Sequence, residues 1–199
     1  MRNTLHLFKP LLSLAAALIF IFCGCSSSSN FSIVPRSEWK ANEPRPFKYH
    51  VPEKITIHHE GVVFTDSMNA PEHIKNVQVW GMGKDRNWVD IPYHFLIAPD
   101  GTIYEGRNVY TIGETNTEYD PTGHLLISLL GNFEEQEVPE EQLNSLINLI
   151  AYCCKNYQIS YETIASHKDY SKITVCPGKN LYHFLENGYI KSHVKQLLN

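Results

Sequence analysis

Five residues in this 199-residue chain carry side chains suited to chemistry at spacings worth reading: His58, His59, Tyr93, His167 and Cys176. The two adjacent histidines close a β-branched run, ITIHHEG (55–61). Ile55, Thr56 and Ile57 favour an extended backbone, and Gly61 offers a turn. Successive side chains of a strand point to opposite faces, so His59 shares the apolar face of Ile55 and Ile57, and His58 shares the face of Thr56. If one of the pair lines a cleft, parity selects His58; an isolated pair is more readily read as two structural imidazoles held by backbone or carboxylate groups. SHKDYSKITVCPG sets His167 nine residues before Cys176, a loop spacing and not the HExxH helix spacing. Catalytic zinc sites use three protein ligands and leave one position open, so His58, His167 and Cys176 are a candidate set. Spacing alone does not prove that they converge. Pro177 and Gly178 would fix the loop that presents the thiolate.

The elements that must position these residues read as follows. Residues 30–52 are Pro-rich and irregular, and contain PRSEWKA (35–41). A strand runs from Lys54 to Ile57. SMNAPEHIKNVQVWGM (67–82) is a helix with Pro71 at an early position. IPYHFLIAPDGTIYEGR (91–107) is a hairpin turning at Asp100-Gly101. LLISLLGNF (125–133) is a continuous apolar run, as for a strand buried on both faces. VPEEQLNSLINLIAYCCKNYQI (138–159) is a long helix with Pro139 at its start, acids in its first turn, and a stripe of Leu143, Leu146, Ile147, Ile150, Cys154 and Tyr157. A last helix surrounds LYHFLENG. The predicted fold is α/β: one domain with a central mixed sheet, helices on its faces, and a zinc cleft at one end of the sheet.

Composition narrows the partners. At 43% hydrophobic and 19% charged the chain is globular. Residues 1–24 combine a basic start, MRNTLHLFK, with an apolar run of twelve, too short for the roughly 20 residues that cross a bilayer. CGCSSSSN follows. Gly24-Cys25 and a serine run are similar to a bacterial lipoprotein processing site, making 1–24 a signal peptide, Cys25 a lipid anchor and 25–31 a tether to a domain spanning 32–199; plain secretion, with Cys23 and Cys25 free or bridged, is the alternative. Losing the leader removes Arg2 and Lys9 and leaves 15 basic residues against 21 acidic, a net charge of −6. An acidic domain without a basic run is no nucleic-acid binder. Cys153 and Cys154 are adjacent in a helix and read as packed thiols.

Taken together, the motifs resemble one family. RSEWKA, ITIHHEG, WVDIPYHFLIAPDGTIYEGR, LLGNF with PEEQ, and SHKDYSKITVCPG occur in register with the zinc-dependent N-acetylmuramoyl-L-alanine amidases, which include phage lysozyme-type amidases and peptidoglycan recognition proteins. The resemblance covers the chain from about Ser32 to its end. It implies Zn2+ on His58, His167 and Cys176; a Tyr93 hydroxyl that positions or deprotonates the attacking water; and Thr174, where the phage branch has Lys and the recognition proteins Thr, hydrogen-bonded to the carbonyl oxygen or oxyanion. His94, on the opposite face from Tyr93, reads as structural. In this family loss of the cysteine ligand marks members that bind without cutting, so Cys176 favours catalysis over a non-catalytic peptidoglycan-binding module. A sister branch carries a catalytic Glu where this chain has Ser128.

The chain also departs from the family. Glu114, Thr115 and Asn116 stand where relatives often place a substrate-side His, WGM replaces an aromatic-His pair, and Asn108-Val109 follows Arg107 in place of the Gly-Trp associated with diaminopimelate stems. Arg107 and Asn108 are the expected substrate-binding positions. The His167–Cys176 interval is one residue longer than usual, which predicts a looser loop. The implied function is hydrolysis of the amide between N-acetylmuramic acid and L-alanine. The implied partners are peptidoglycan or muropeptides and, through Cys25, a membrane; the chain is expected to act as a monomer in the bacterial cell envelope, at the outer membrane facing the periplasm.

Overall fold

The computed structural model describes residues 32–199; the leader, the tether and Cys25 lie outside the described residues. Six strands form one sheet: β1 (Ile33–Val34), β2 (Lys54–His59), β3 (Phe95–Ile97), β4 (Ile103–Glu105), β5 (His124–Leu129) and β6 (Ala165–Ser166). Their order is β1-β4-β3-β5-β2-β6, parallel except for the antiparallel β3–β4 hairpin. The sheet is therefore mixed, as the sequence predicts. The Asp-Gly signal marks the hairpin turn, where Gly101 takes φ 82° and a Cβ would sit 2.7 Å from Ser145 Oγ.

β5 lies between β3 and β2, and all six of its residues are buried. That position explains its unbroken apolar run: both faces of a central strand meet protein. On one face Ile55, Ile57 and the odd-numbered residues of β5 pack with α2 (Glu140–Tyr157), α4 (Lys179–Glu186) and α5 (Tyr189–Leu198). On the other, Leu96, Ala98, Tyr104 and Leu130 pack with α1 (Ala70–Gly81) and Trp39. α1 begins where the Asn69 side chain accepts from the Glu72 amide at 3.0 Å. In α2 the predicted stripe faces the core, and Cys153 and Cys154 are free, buried thiols. Among the described residues no helix is long and apolar enough to cross a membrane.

Three local expectations change. The segment 30–52 holds strand β1 and a 3₁₀ turn at Arg36–Trp39, fixed by Trp39 Nε1 donating to Glu105 O at 2.9 Å and by an Arg36–Asp90 ion pair at 3.0 Å. A two-residue strand is too short to show periodicity. The C-terminus carries two helices, separated at Gly188, not one. His167 opens α3 (His167–Tyr170), a single helical turn, and does not stand in a loop.

Candidate metal centre

β2 places its two histidines on different faces. His58 pairs in register with Ser128 of β5, and its ring lies 4.7 Å from that of His167 and 5.3 Å from that of Tyr93. His59 turns to the opposite core, where its Nδ1 accepts from the Phe133 amide at 3.1 Å. The division follows strand parity. His58 is not on a wet face, however: it is 2% exposed, and Thr56 is fully buried, because β2 lies between β5 and β6.

His167 follows β6 directly. Its position is set by a capping box in which Asp169 accepts from both the amide and the hydroxyl of Ser166 at 2.7 Å. The interval to Cys176 is closed, not loose. The Lys168 amide donates to Cys176 O at 2.9 Å, and Ser171 Oγ donates to Glu118 at 2.7 Å. Beyond the cysteine, Gly178 takes φ 84°, and a Cβ there would lie 2.3 Å from the Phe133 carbonyl carbon. No side chain fits that approach, so a glycine terminates the loop.

These elements bring His58, His167 and Cys176 together. One nitrogen from each histidine and the sulfur lie within 4.8 Å of one another, all on buried residues. Cys176 Sγ is 3.6 Å from His58 Nδ1. Tetrahedral zinc, with Zn–S of about 2.3 Å and Zn–N of about 2.0–2.1 Å, separates sulfur from nitrogen by roughly 3.5 Å. Two imidazoles and a thiol therefore fit zinc in kind and in spacing.

The electrostatics agree with that fit. Burial, reinforced by the neighbouring His167 and His59, drives His58 well below the usual imidazole range. Burial takes His167 down to about 4 against an upward pull from Glu118. Both rings are thus neutral at pH 7, the form that ligates metal. Burial pushes the Cys176 thiol up to about 12, partly offset by a backbone hydrogen bond from His59, so the thiolate needs a cation beside it.

A cavity of about 250 Å³ opens over the group and is lined by Tyr93, Thr174, Trp88 and residues 114–117. A second cleft of about 440 Å³ shares Glu60, Trp88, Pro92, Tyr93 and Asn116 with it and runs on to Trp80. Burial drives the Tyr93 phenol far above its ordinary value, with Cys176 and Glu60 adding to the effect. Tyr93 is therefore a neutral donor, not a base. Thr174 Oγ1 accepts from the Cys176 amide at 3.1 Å, and its own proton is left to donate.

Other expected residues lie elsewhere. Arg107 and Asn108 line no part of this cavity. The Arg107 guanidinium, 1% exposed, donates to the carbonyls of Asp90, Ile91 and Ile112 and pairs with Glu114. Four of its five N–H groups are committed within the chain, so Arg107 acts as a strut. Asn108 is exposed and accepts from the Tyr110 amide at 2.9 Å. His94 is structural as expected, since Nε2 donates to Thr111 O and Nδ1 accepts from the Leu126 amide, both at 2.8 Å. Trp88, Thr117 and Tyr119 were not singled out by sequence. The alternation of ETNTEY (114–119) is the signal that could have found two of them.

Comparison with known proteins agrees. Residues 48–179 match the family model for N-acetylmuramoyl-L-alanine amidase. Peptidoglycan-recognition protein SD of Drosophila simulans is 31% identical over 160 residues, 77% of this chain and 84% of that protein. Among solved structures, the N-acetylmuramoyl-L-alanine amidase LysC of Clostridium intestinale URNW is 31% identical with a TM-score of 0.66, over 82% of this chain and 97% of that one. Peptidoglycan recognition protein-LE, solved with tracheal cytotoxin, a monomeric diaminopimelic acid-type peptidoglycan, is 30% identical with a TM-score of 0.70, over 78% and 92%. Matched by both sequence and fold over most of its length, this chain is a member of the N-acetylmuramoyl-L-alanine amidase family.

Proposed function

We propose that this protein is a zinc-dependent amidase that cleaves the bond between N-acetylmuramic acid and L-alanine in peptidoglycan. The observation that carries the reading is the convergence of His58, His167 and Cys176 beneath a cavity also lined by Tyr93 and Thr174. When bound, zinc supplies Lewis acidity to the amide carbonyl and to the attacking water. The residues do the rest. His58 and His167 present neutral nitrogens. Tyr93 and Thr174 line the site and would offer hydroxyl donors where charge on the carbonyl oxygen develops. The enclosing side chains strengthen those hydrogen bonds by excluding solvent. Trp80 and Trp88 along the connected cleft offer apolar faces to an extended ligand.

The test is mass spectrometry of purified sacculi incubated with the protein. Release of intact stem peptides beginning at L-alanine, lost to a chelator and restored by zinc, is the expected result. Retention of the protein on sacculi without release would establish the binding-module reading, which the recognition-protein relatives keep in view. Location is inferred separately from residues 1–31: the chain is an envelope lipoprotein anchored through Cys25, facing the periplasm as a monomer. Labelling by a tagged fatty acid that disappears in Cys25→Ala supports this; labelling that persists overturns it.

A further inference from the structure

The segment ETNTEY (114–119) lies against the His-His-Cys group, and its side chains alternate in what they touch. The even positions fasten it to three other parts of the chain. Glu114 accepts from the Val89 amide at 2.9 Å and pairs with Arg107. Asn116 Oδ1 accepts from Arg86 Nη1 at 2.6 Å. Glu118 accepts from Ser171 Oγ at 2.7 Å and from the Lys172 amide at 3.3 Å, tying the segment to the interval between His167 and Cys176.

The odd positions reach the histidines. Thr117 Oγ1 is 2.7 Å from His167 Nε2 and 2.9 Å from Thr115 Oγ1, which itself is 3.4 Å from the same nitrogen. Tyr119 places its hydroxyl 3.5 Å from His58 Nε2 and its ring 5.1 Å from the ring of His167. A histidine ligand needs a fixed tautomer, and the partner of its other nitrogen fixes it. With Nε2 engaged on both rings, Nδ1 is the nitrogen left to the group, and His58 Nδ1 is the atom found beside the Cys176 sulfur.

We propose that residues 114–119 form a strap that holds both histidines with Nδ1 directed at the metal, with Thr117 as its principal positioning residue and Tyr119 as its second. The proposal rests on the zinc reading for its purpose, but its geometry can be tested without metal. In this arrangement Thr117 accepts the proton of His167 Nε2–H and passes its own hydrogen to Thr115. The opposite arrangement, with Thr117 donating to Nε2, would put the ring proton on Nδ1 and block the metal.

Long-range proton–nitrogen NMR on the metal-free protein reads the tautomer, and competition against a chelator reads zinc affinity. We expect His167 to carry its proton on Nε2. Thr117→Val should mix the tautomers and weaken zinc binding about 10- to 100-fold. Thr117→Ser, which keeps the hydroxyl, should restore both, and Tyr119→Phe should weaken binding less than Thr117→Val. A proton on Nδ1 in the wild type, or a folded Thr117→Val protein with unchanged tautomer and affinity, overturns the strap. A wild type that binds no zinc while Thr117→Val still shifts the tautomer upholds the strap and defeats the zinc reading.

Discussion

Two pairs of histidines lie close to this sheet, and their contrast explains which one is a site. His50 and His94 are stacked 5.8 Å apart, and each has both nitrogens committed to backbone: His50 to Val109 O and the Gly123 amide, His94 to Thr111 O and the Leu126 amide. They serve as connectors between strands and loops. His58 and His167 are buried, and each meets a side-chain hydroxyl at Nε2, while His58 Nδ1 lies 3.6 Å from the Cys176 sulfur within the His-His-Cys group. A pKa lowered by burial is common to both groups. The difference lies in their partners: backbone takes both nitrogens in the first group, whereas the second meets hydroxyls and gathers with a sulfur.

The sharpest break of this contrast is removal of a ligand. Cys176→Ser or His58→Ala should lower amidase activity by ~10³-fold or more, since the metal contributes several kcal/mol to the barrier. Activity per folded molecule in His94→Ala should stay within a few-fold of wild type. Equal losses in the two groups, measured as kcat/KM on muropeptides, would erase the distinction. Next in size is Tyr93→Phe, which keeps the packing and removes one donor. Its kcat should fall about 100-fold with zinc retained and KM little changed. A wild-type kcat would make Tyr93 a packing residue.

His94→Ala carries its cost in stability instead, at least ~2 kcal/mol by denaturant titration, because the Thr111 carbonyl and the Leu126 amide are left buried without partners. The smallest effect is a pH dependence common to both groups. In the folded chain burial lowers His167 to about 4 and His94 to about 3. Unfolded imidazoles take up protons near 6.5, so between about 6.5 and 4 the unfolded chain binds more protons. Stability of the metal-free protein should therefore decline as pH falls through that window, by up to ~1.4 kcal/mol per pH unit for each such histidine. A flat profile would mean that these rings protonate without cost.

What was legible in the sequence follows the same physics. Periodicity exposes elements long enough to repeat, so β5, α1, α2 and the hairpin are readable, while β1, β6 and the turn at Arg36–Trp39 are not. Parity separates His58 from His59 because a strand offers only two directions. Ordered motifs supply His167, Cys176 and Thr174, but not how they meet. The burial of Arg107 was not legible, because nothing in the local pattern tells that three carbonyls wait for its guanidinium. Thr117 and Tyr119 escaped because threonines and tyrosines in a polar stretch look like a solvated loop.

The inward turn of Arg107 has a consequence for redesign. A library meant to alter stem-peptide preference would naturally randomise the residues after the hairpin. At Arg107 that choice would instead release the chain at Asp90, Ile91 and Ile112 and free Glu114, which anchors one end of the strap. Most members would lose their fold or their metal before expressing any new preference. The variable positions of this cleft are better sought at Trp80 and Trp88, whose side chains border the groove without fastening the strap.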